Sequence, residues 1–146
     1  MDSLQIMLVD DEAPFVEAMT RRLNKRGLSV LSAHGGQEAL DNLELPDYQK
    51  VSVVILDVKM PGMNGLETLV ELRRRHPLLE VIMLTGHATV DSAIEGMKLG
   101  AFDYLMKPCD MEVLISKIGE AHDKKTRHET KIIEARAEMI AMRRGG

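Results

Sequence analysis

The chain has no tryptophan, only two phenylalanines and two tyrosines, and a single cysteine, Cys109. A lone cysteine excludes an intrachain disulfide and favours a reducing compartment, so a cytoplasmic location is expected. Few aromatics beside eleven methionines predict an aliphatic core. No apolar run is long enough to cross a bilayer, so no membrane partner is expected. The opening MDSLQIMLVDDE lacks a basic leader and breaks at an acidic pair, unlike a signal peptide. A net charge of −4 leaves no basic surplus for direct nucleic-acid binding by the chain as a whole. The charge is uneven, however: residues 1–121 hold 12 Lys and Arg against 19 Asp and Glu, whereas 122–146 hold 7 against 4. An acidic body therefore carries a weakly basic tail. What is present is globular in character, 45% hydrophobic and 29% charged over 146 residues. That suffices for one domain with a real core and a short extension.

The stretch VSVVILDVKMP organises the rest. Val51, Val53, Val54, Ile55 and Leu56 form an apolar run of strand length, as expected for a strand buried on both faces of a parallel sheet. Asp57 ends it, and Met60-Pro61-Gly62 turns the chain away. On either side the chain alternates between apolar strands and amphipathic helices. Strands are expected at Leu4–Val9, Leu28–Ala33, Val51–Leu56, Val81–Leu84 and Phe102–Met106. The helix after the first strand should turn Phe15, Ala18, Met19 and Leu23 inward and close at Gly27. The second should run over Gln37–Leu45 with Ala39, Leu40 and Leu43 inward. The third should reach about Arg75, with Leu66, Leu69, Val70 and Arg73 along one side. A fourth covers roughly Val90–Leu99, and the last starts near Met111 with no stop signal before Gly145. Five strand–helix alternations predict an α/β fold, a doubly wound five-stranded parallel sheet of flavodoxin-like design with an extended C-terminal helix.

Parallel strands point their carboxyl ends one way, so Asp10, Asp11, Asp57, Thr85 and Lys107 should meet at one sheet edge. Singly, each has an ordinary explanation as a turn, cap or surface residue. Together they do not, because converging carboxylates repel unless a cation intervenes. Mg²⁺ suits such a set, taking one or two carboxylates, waters and a phosphate oxygen. Thr85 and Lys107 can each hold a phosphoryl oxygen, and a carboxylate is a competent nucleophile toward phosphorus. The residues thus point to Asp57 as an acceptor of a phosphoryl group. His34, His76, His122 and His128 have no ligand spacing with Cys109, so no zinc site is expected.

The four motifs VDDE, ILDVKMPGMNGLE, MLTGHAT and GAFDYLMKP, in this order and spacing, resemble the receiver domain of two-component response regulators. The stretch 82–108 is especially similar to receivers of bacterial enhancer-binding transcription activators. The resemblance implies a receiver domain over 3–121 and a helical extension or linker over 122–146. It implies that Asp57 takes its phosphoryl group from a sensor histidine kinase. Asp11 would ligate the metal directly, Asp10 through water, and Lys59 through its backbone carbonyl. Lys107 would pair with the phosphoryl group, Thr85 would act as the switch hydroxyl, and Tyr104 as the aromatic that swings behind it. A cis peptide before Pro108 is also implied. A phosphorylated chain would then alter the surface of the fourth helix and fifth strand and control a downstream effector or output domain. Lys59 and His87, each two residues beyond Asp57 and Thr85, are candidates for tuning the lifetime of the acyl phosphate.

On this reading the chain is a switch with intrinsic phosphotransfer and self-dephosphorylation rather than an enzyme. The alternative is a Mg²⁺-dependent aspartyl-phosphate phosphohydrolase, but such enzymes of the haloacid-dehalogenase type place an Asp where Lys59 stands. A flavodoxin-like nucleotide site would need Ser, Thr and Gly where Asp10-Asp11-Glu12 stand. A degenerate receiver serving only assembly conflicts with the complete acidic set. In the tail, Leu114, Ile118, Ala121, Lys125, His128, Ile132, Ala135, Met139 and Met142 follow a heptad seam with two polar interruptions. This predicts a linker helix or a homodimer through the C-terminal helix, with folding back onto the domain as the simpler option.

Overall fold

The structure, a computed structural model, describes residues 4–145, so the expected domain start at residue 3 and the last residue of the tail lie outside the described residues. Strand β1 (Gln5–Val9) leads to helix α1 (Ala13–Lys25), β2 (Ser29–Ala33), α2 (Gly36–Leu43) and a 3₁₀ turn at Pro46–Tyr48. Then follow β3 (Val51–Leu56), α3 (Gly65–Arg75), β4 (Glu80–Thr85), α4 (Val90–Lys98), β5 (Asp103–Met106) and α5 (Met111–Gly145). All pairings are parallel, in the order β2-β1-β3-β4-β5.

The alternation of side chains along a strand divides the core in two. Met7, Val9, Val54, Leu56 and Met83 face Leu40, Leu43, Leu69 and Leu72 of α2 and α3. Their neighbours Ile6, Leu8, Val53, Ile55 and Ile82 face Val16, Met19 and Leu23 of α1 and Leu114, Ile118 and Ala121 of α5. Both sheet faces are therefore covered, which is why every residue of β3 and β4 is buried. A parallel sheet needs this arrangement, because its crossover helices have no other apolar surface to lie on. Helix α4 is the exception: Gly96 is its one buried residue, and Val90, Ile94 and Met97 are exposed.

The structure corrects several helix-face expectations. Val70 is exposed and Leu72 fully buried instead. Gly65, Thr68, Leu69 and Leu72 form the buried stripe of α3, and Val70 lies one residue, about 100° of turn, away from Leu69. In α1 the buried face is Val16, Met19 and Leu23, while Phe15 and Ala18 are only half-buried. Helix α2 stops at Leu43, short of Leu45. Leu45 is extended at φ −81°, ψ 147°, the conformation that a following proline imposes on its predecessor. The tail seam also divides. Leu114, Ile118 and Ala121 are fully buried against the chain's own sheet, whereas every described residue from Lys131 onward is exposed. The last hydrogen bond and ion pair that tie α5 to the domain's sheet are His122 Nδ1 with Ser52 Oγ at 3.0 Å and Lys124 Nζ with Glu80 Oε1 at 3.4 Å.

Candidate functional site

Sheet register places the candidate residues. Val9 pairs with Leu56, so Asp10 and Asp57 each stand one residue beyond paired positions of β1 and β3. Their backbones remain tied into the sheet: Asp10 N–H donates to Ala33 O at 3.1 Å, and Asp57 N–H donates to Val9 O at 3.0 Å. Across the sheet, Thr85 pairs with Met106, and Lys107 N–H donates to Thr85 O at 2.9 Å. Four strand ends thus deliver their polar residues to one edge with backbones already anchored. The Lys107–Pro108 bond is cis, as expected.

Asp10 and Asp57 are buried and Asp11 is exposed, and ligand oxygens of all three lie within 4.8 Å of one another. Asp10 Oδ1 accepts the Glu12 N–H at 2.9 Å, and Asp57 Oδ1 accepts the Val58 N–H at 2.8 Å. Each carboxylate therefore keeps oxygen lone pairs for a further ligand. Lys107 Nζ donates to Asp10 Oδ2 at 2.6 Å and stands 3.6 Å from Glu12 Oε1 and 3.7 Å from Asp57 Oδ2. One ammonium among four carboxylates leaves the site electronegative. Burial pushes the Asp10 carboxyl above its ordinary value; bonds from Lys107 and the Glu12 N–H oppose the rise, and the Asp57 charge adds to it. For Lys107, burial acts to lower the pKa, but the hydrogen bond to Asp10 and the charges of Asp10, Asp57 and Glu12 outweigh it and raise it.

An all-oxygen donor set, crowded and under-neutralised, fits a hard divalent cation such as Mg²⁺. The fit rests on the crowding of Asp10, Asp11 and Asp57 and on the destabilised charge of Asp10.

Thr85 is fully buried, and its Oγ1 accepts the His87 N–H at 3.0 Å. Lys59, Met60 and His87 line an open cleft that also reaches Asp11 and Glu12, so both tuning candidates border the acidic site. Tyr104 is half-buried and lies along α4, its hydroxyl 2.6 Å from Ser92 Oγ. Three participants escaped the sequence reading. Glu12 shares Lys107, and the acidic run Asp10-Asp11-Glu12 was its signal. Phe15 holds Lys107 Nζ 3.9 Å from its ring centroid, a cation–π contact. A signal existed there too, since Phe15 lies one helical turn after Asp11. Ser92 left no trace, because only the fold brings it to Tyr104.

Comparison with known proteins agrees with this geometry. The family model of the response regulator receiver domain matches residues 6–119. The chain is 38% identical over 116 residues to the DNA-binding transcriptional regulator NtrC of Klebsiella pneumoniae, covering 78% of this chain and 24% of that protein. It is 40% identical over 114 residues to the transcriptional regulatory protein CpxR of Klebsiella pneumoniae subsp. pneumoniae, covering 78% and 47%. The chain thus spans from about a quarter to about a half of the length of these relatives. Among solved structures, a response regulator receiver domain protein from Clostridium thermocellum superposes with a TM-score of 0.79 at 36% identity, covering 84% of this chain and 97% of that one. A CheY-like receiver domain protein from Methanospirillum hungatei JF-1 gives 0.79 at 28% identity, covering 86% and 98%.

Proposed function

The chain belongs to the response regulator receiver domain family, and on that premise we propose that Asp57 accepts a phosphoryl group from the phosphohistidine of a sensor histidine kinase. The observation that carries this reading is the buried Asp57 carboxylate, 3.7 Å from the Lys107 ammonium and within ligand distance of Asp10 and Asp11. An Asp57 oxygen attacks phosphorus; the new P–O bond forms as the P–N bond breaks, and the imidazole keeps the electron pair and takes up a proton. Hydrolysis returns the carboxylate, with water's oxygen bound to phosphorus and inorganic phosphate released. Bound Mg²⁺ supplies charge neutralisation for the incoming phosphoryl oxygens. Asp10, Asp11, Asp57 and the Lys59 carbonyl would hold it. Lys107 moves its interaction from Asp10 to a phosphoryl oxygen, and Thr85 turns its hydroxyl to another. Lys59 and His87, at the rim of the cleft, govern water's approach and hence the acyl phosphate's lifetime.

The readout is the α4–β5 face, where Val90, Ile94, Met97 and Met106 are exposed. Movement of Thr85 and Tyr104 alters this loosely held element and thereby an effector or output domain. Relatives named as transcriptional regulators favour an output in transcription control, with no direct nucleic-acid contact by this chain. The outer part of α5 serves as a linker or as a pairing helix with a second copy. The protein works in the cytoplasm as a switch and not as an enzyme with a separate substrate. No described helix is long and apolar enough to cross a membrane.

Intact mass after incubation with acetyl phosphate and Mg²⁺ tests the reading. One added phosphoryl group, absent in Asp57→Asn and without Mg²⁺, is the expected result. A folded protein that binds Mg²⁺ yet gains no mass would overturn it.

A further inference from the structure

Helix α4 contributes little to the core, yet it grips Tyr104 at two points. The Tyr104 hydroxyl lies 2.6 Å from Ser92 Oγ, short even for a hydroxyl pair. One turn further along, Gly96 faces the ring: a Cβ there would stand 3.3 Å from Tyr104 Cδ2 and 3.6 Å from Cε2. Ser92 and Gly96 are four residues apart, so they share one helix face. The ring lies in a groove that exists because position 96 has no side chain, and Leu66 Cδ2 borders the same position, 3.7 Å from where a Cβ would stand.

Ser92 is also part of the helix cap. Its backbone N–H donates to Thr89 Oγ1 at 3.0 Å, and its Oγ accepts the Thr89 N–H at 3.1 Å. The same oxygen donates to Thr89 O at 3.1 Å, accepts from the Thr89 hydroxyl at 2.9 Å, and lies 2.6 Å from Tyr104 Oη, where either hydroxyl can donate. Because one oxygen serves both the cap and the tyrosine, Tyr104's position is linked to the first turn of α4. From the same loop, the His87 N–H donates to Thr85 Oγ1. A Thr85 hydroxyl that turns toward a phosphoryl group therefore disturbs the segment that ends in this cap.

We propose that Ser92 and Gly96 form a latch that holds Tyr104 against α4 in the unphosphorylated protein and so opposes the switch. Both are positioning residues acting through Tyr104, and the proposal rests on the phosphorylation reading above. Loss of one such hydrogen bond shifts a two-state balance by about fivefold. Ser92→Ala and Gly96→Ala should therefore each speed phosphorylation of Asp57 by acetyl phosphate about three- to tenfold, and Ser92→Thr should not.

The test uses the full chain in a Tyr48→Phe background, where Tyr104 is the one remaining tyrosine. With ¹³C-labelled tyrosine and no phosphodonor, Ser92→Ala and Gly96→Ala should both move the Tyr104 ring resonances toward those of the beryllofluoride-bound parent. Ser92→Thr should retain the parent resonances. The two alanine variants act oppositely on the helix itself: one weakens its cap and the other replaces glycine by the best helix former. A mere helix-stability effect would therefore drive them apart. Unmoved resonances in both variants, divergent shifts, or moved resonances with unchanged phosphorylation rates would each overturn the latch. If the parent takes no phosphoryl group at all, the phosphorylation reading fails. The resonances of the unphosphorylated variants still decide whether Ser92 and Gly96 place Tyr104.

Discussion

Asp10 carries the electrostatic tension of the site. Its folded pKa lies above the ordinary 3.8, with burial as the leading cause, so the folded protein binds that proton more tightly than the unfolded chain does. Stability contributed by this group is therefore full below 3.8 and declines as pH rises through the raised folded value. In EDTA, Asp10→Asn should accordingly raise the melting temperature at pH 7 and flatten its decline between pH 4 and neutrality. The same variant should lose most of the stabilisation that Mg²⁺ gives the parent, because the ligand set is broken. Thermal melts across pH, with and without Mg²⁺, check both halves. Phe15 offers a second test at this scale. Phe15→Leu keeps an apolar side chain on α1 but removes the ring beneath Lys107, and a cation–π contact of this kind contributes roughly 0.5–2 kcal/mol. Phosphorylation of Asp57 by acetyl phosphate should change in rate while the fold, followed by circular dichroism, stays intact.

At the scale of elements, α3 and α5 are the informative ones. Helix α3 begins with a full capping box, Asn64 Oδ1 accepting the Glu67 N–H at 2.9 Å and Glu67 Oε1 accepting the Asn64 N–H at 3.0 Å. Its first residue, Gly65, presses directly on the phosphoacceptor strand end: a Cβ there would lie 2.0 Å from the Asp57 carbonyl oxygen. Backbone cannot yield as a flexible side chain does. Gly65→Ala should therefore destabilise by about 2–4 kcal/mol despite alanine's better helix propensity, as measured by urea denaturation. The close approach of Gly65 to Asp57 is visible only in the fold. The heptad seam of α5 was legible, but not its division. Leu114, Ile118 and Ala121 satisfy the pattern by covering β-strands of their own domain, which leaves Ile132, Ala135, Met139 and Met142 as the free part. Two heptads form a weak coiled coil in isolation. Pairing through this segment should be concentration-dependent in analytical ultracentrifugation and abolished by Met139→Glu.

For the whole molecule, the division of α5 separates stability from assembly. The last ion pair between α5 and the domain is that of Lys124 with Glu80, Lys125 and His128 remain half-buried, and the described residues from Lys131 onward are exposed. A chain ending at residue 130 should melt within about 2 °C of the full one at low protein concentration and take up a phosphoryl group on Asp57 at the same rate. A large loss of stability would mean that the outer helix folds against something in solution.

The strands, their order along the chain and the residues at their carboxyl ends were determined by sequence alone. Apolar runs, turn residues and the polar residue that ends each run are local properties, readable without any partner. Val51–Leu56 and Asp57 are the clearest case. The fold class followed because five strand–helix alternations leave few ways to cover both faces of a sheet. Tertiary structure alone decided which helix residue meets which neighbour. It put Leu72 rather than Val70 in the core, laid Phe15 beneath Lys107, and brought Ser92 to Tyr104 across twelve residues of chain. It also gave Leu114, Ile118 and Ala121 of the α5 seam to the domain's core and the part from Ile132 onward to solvent. Helical periodicity states that a face is apolar; only the shape of the assembled chain determines what covers it.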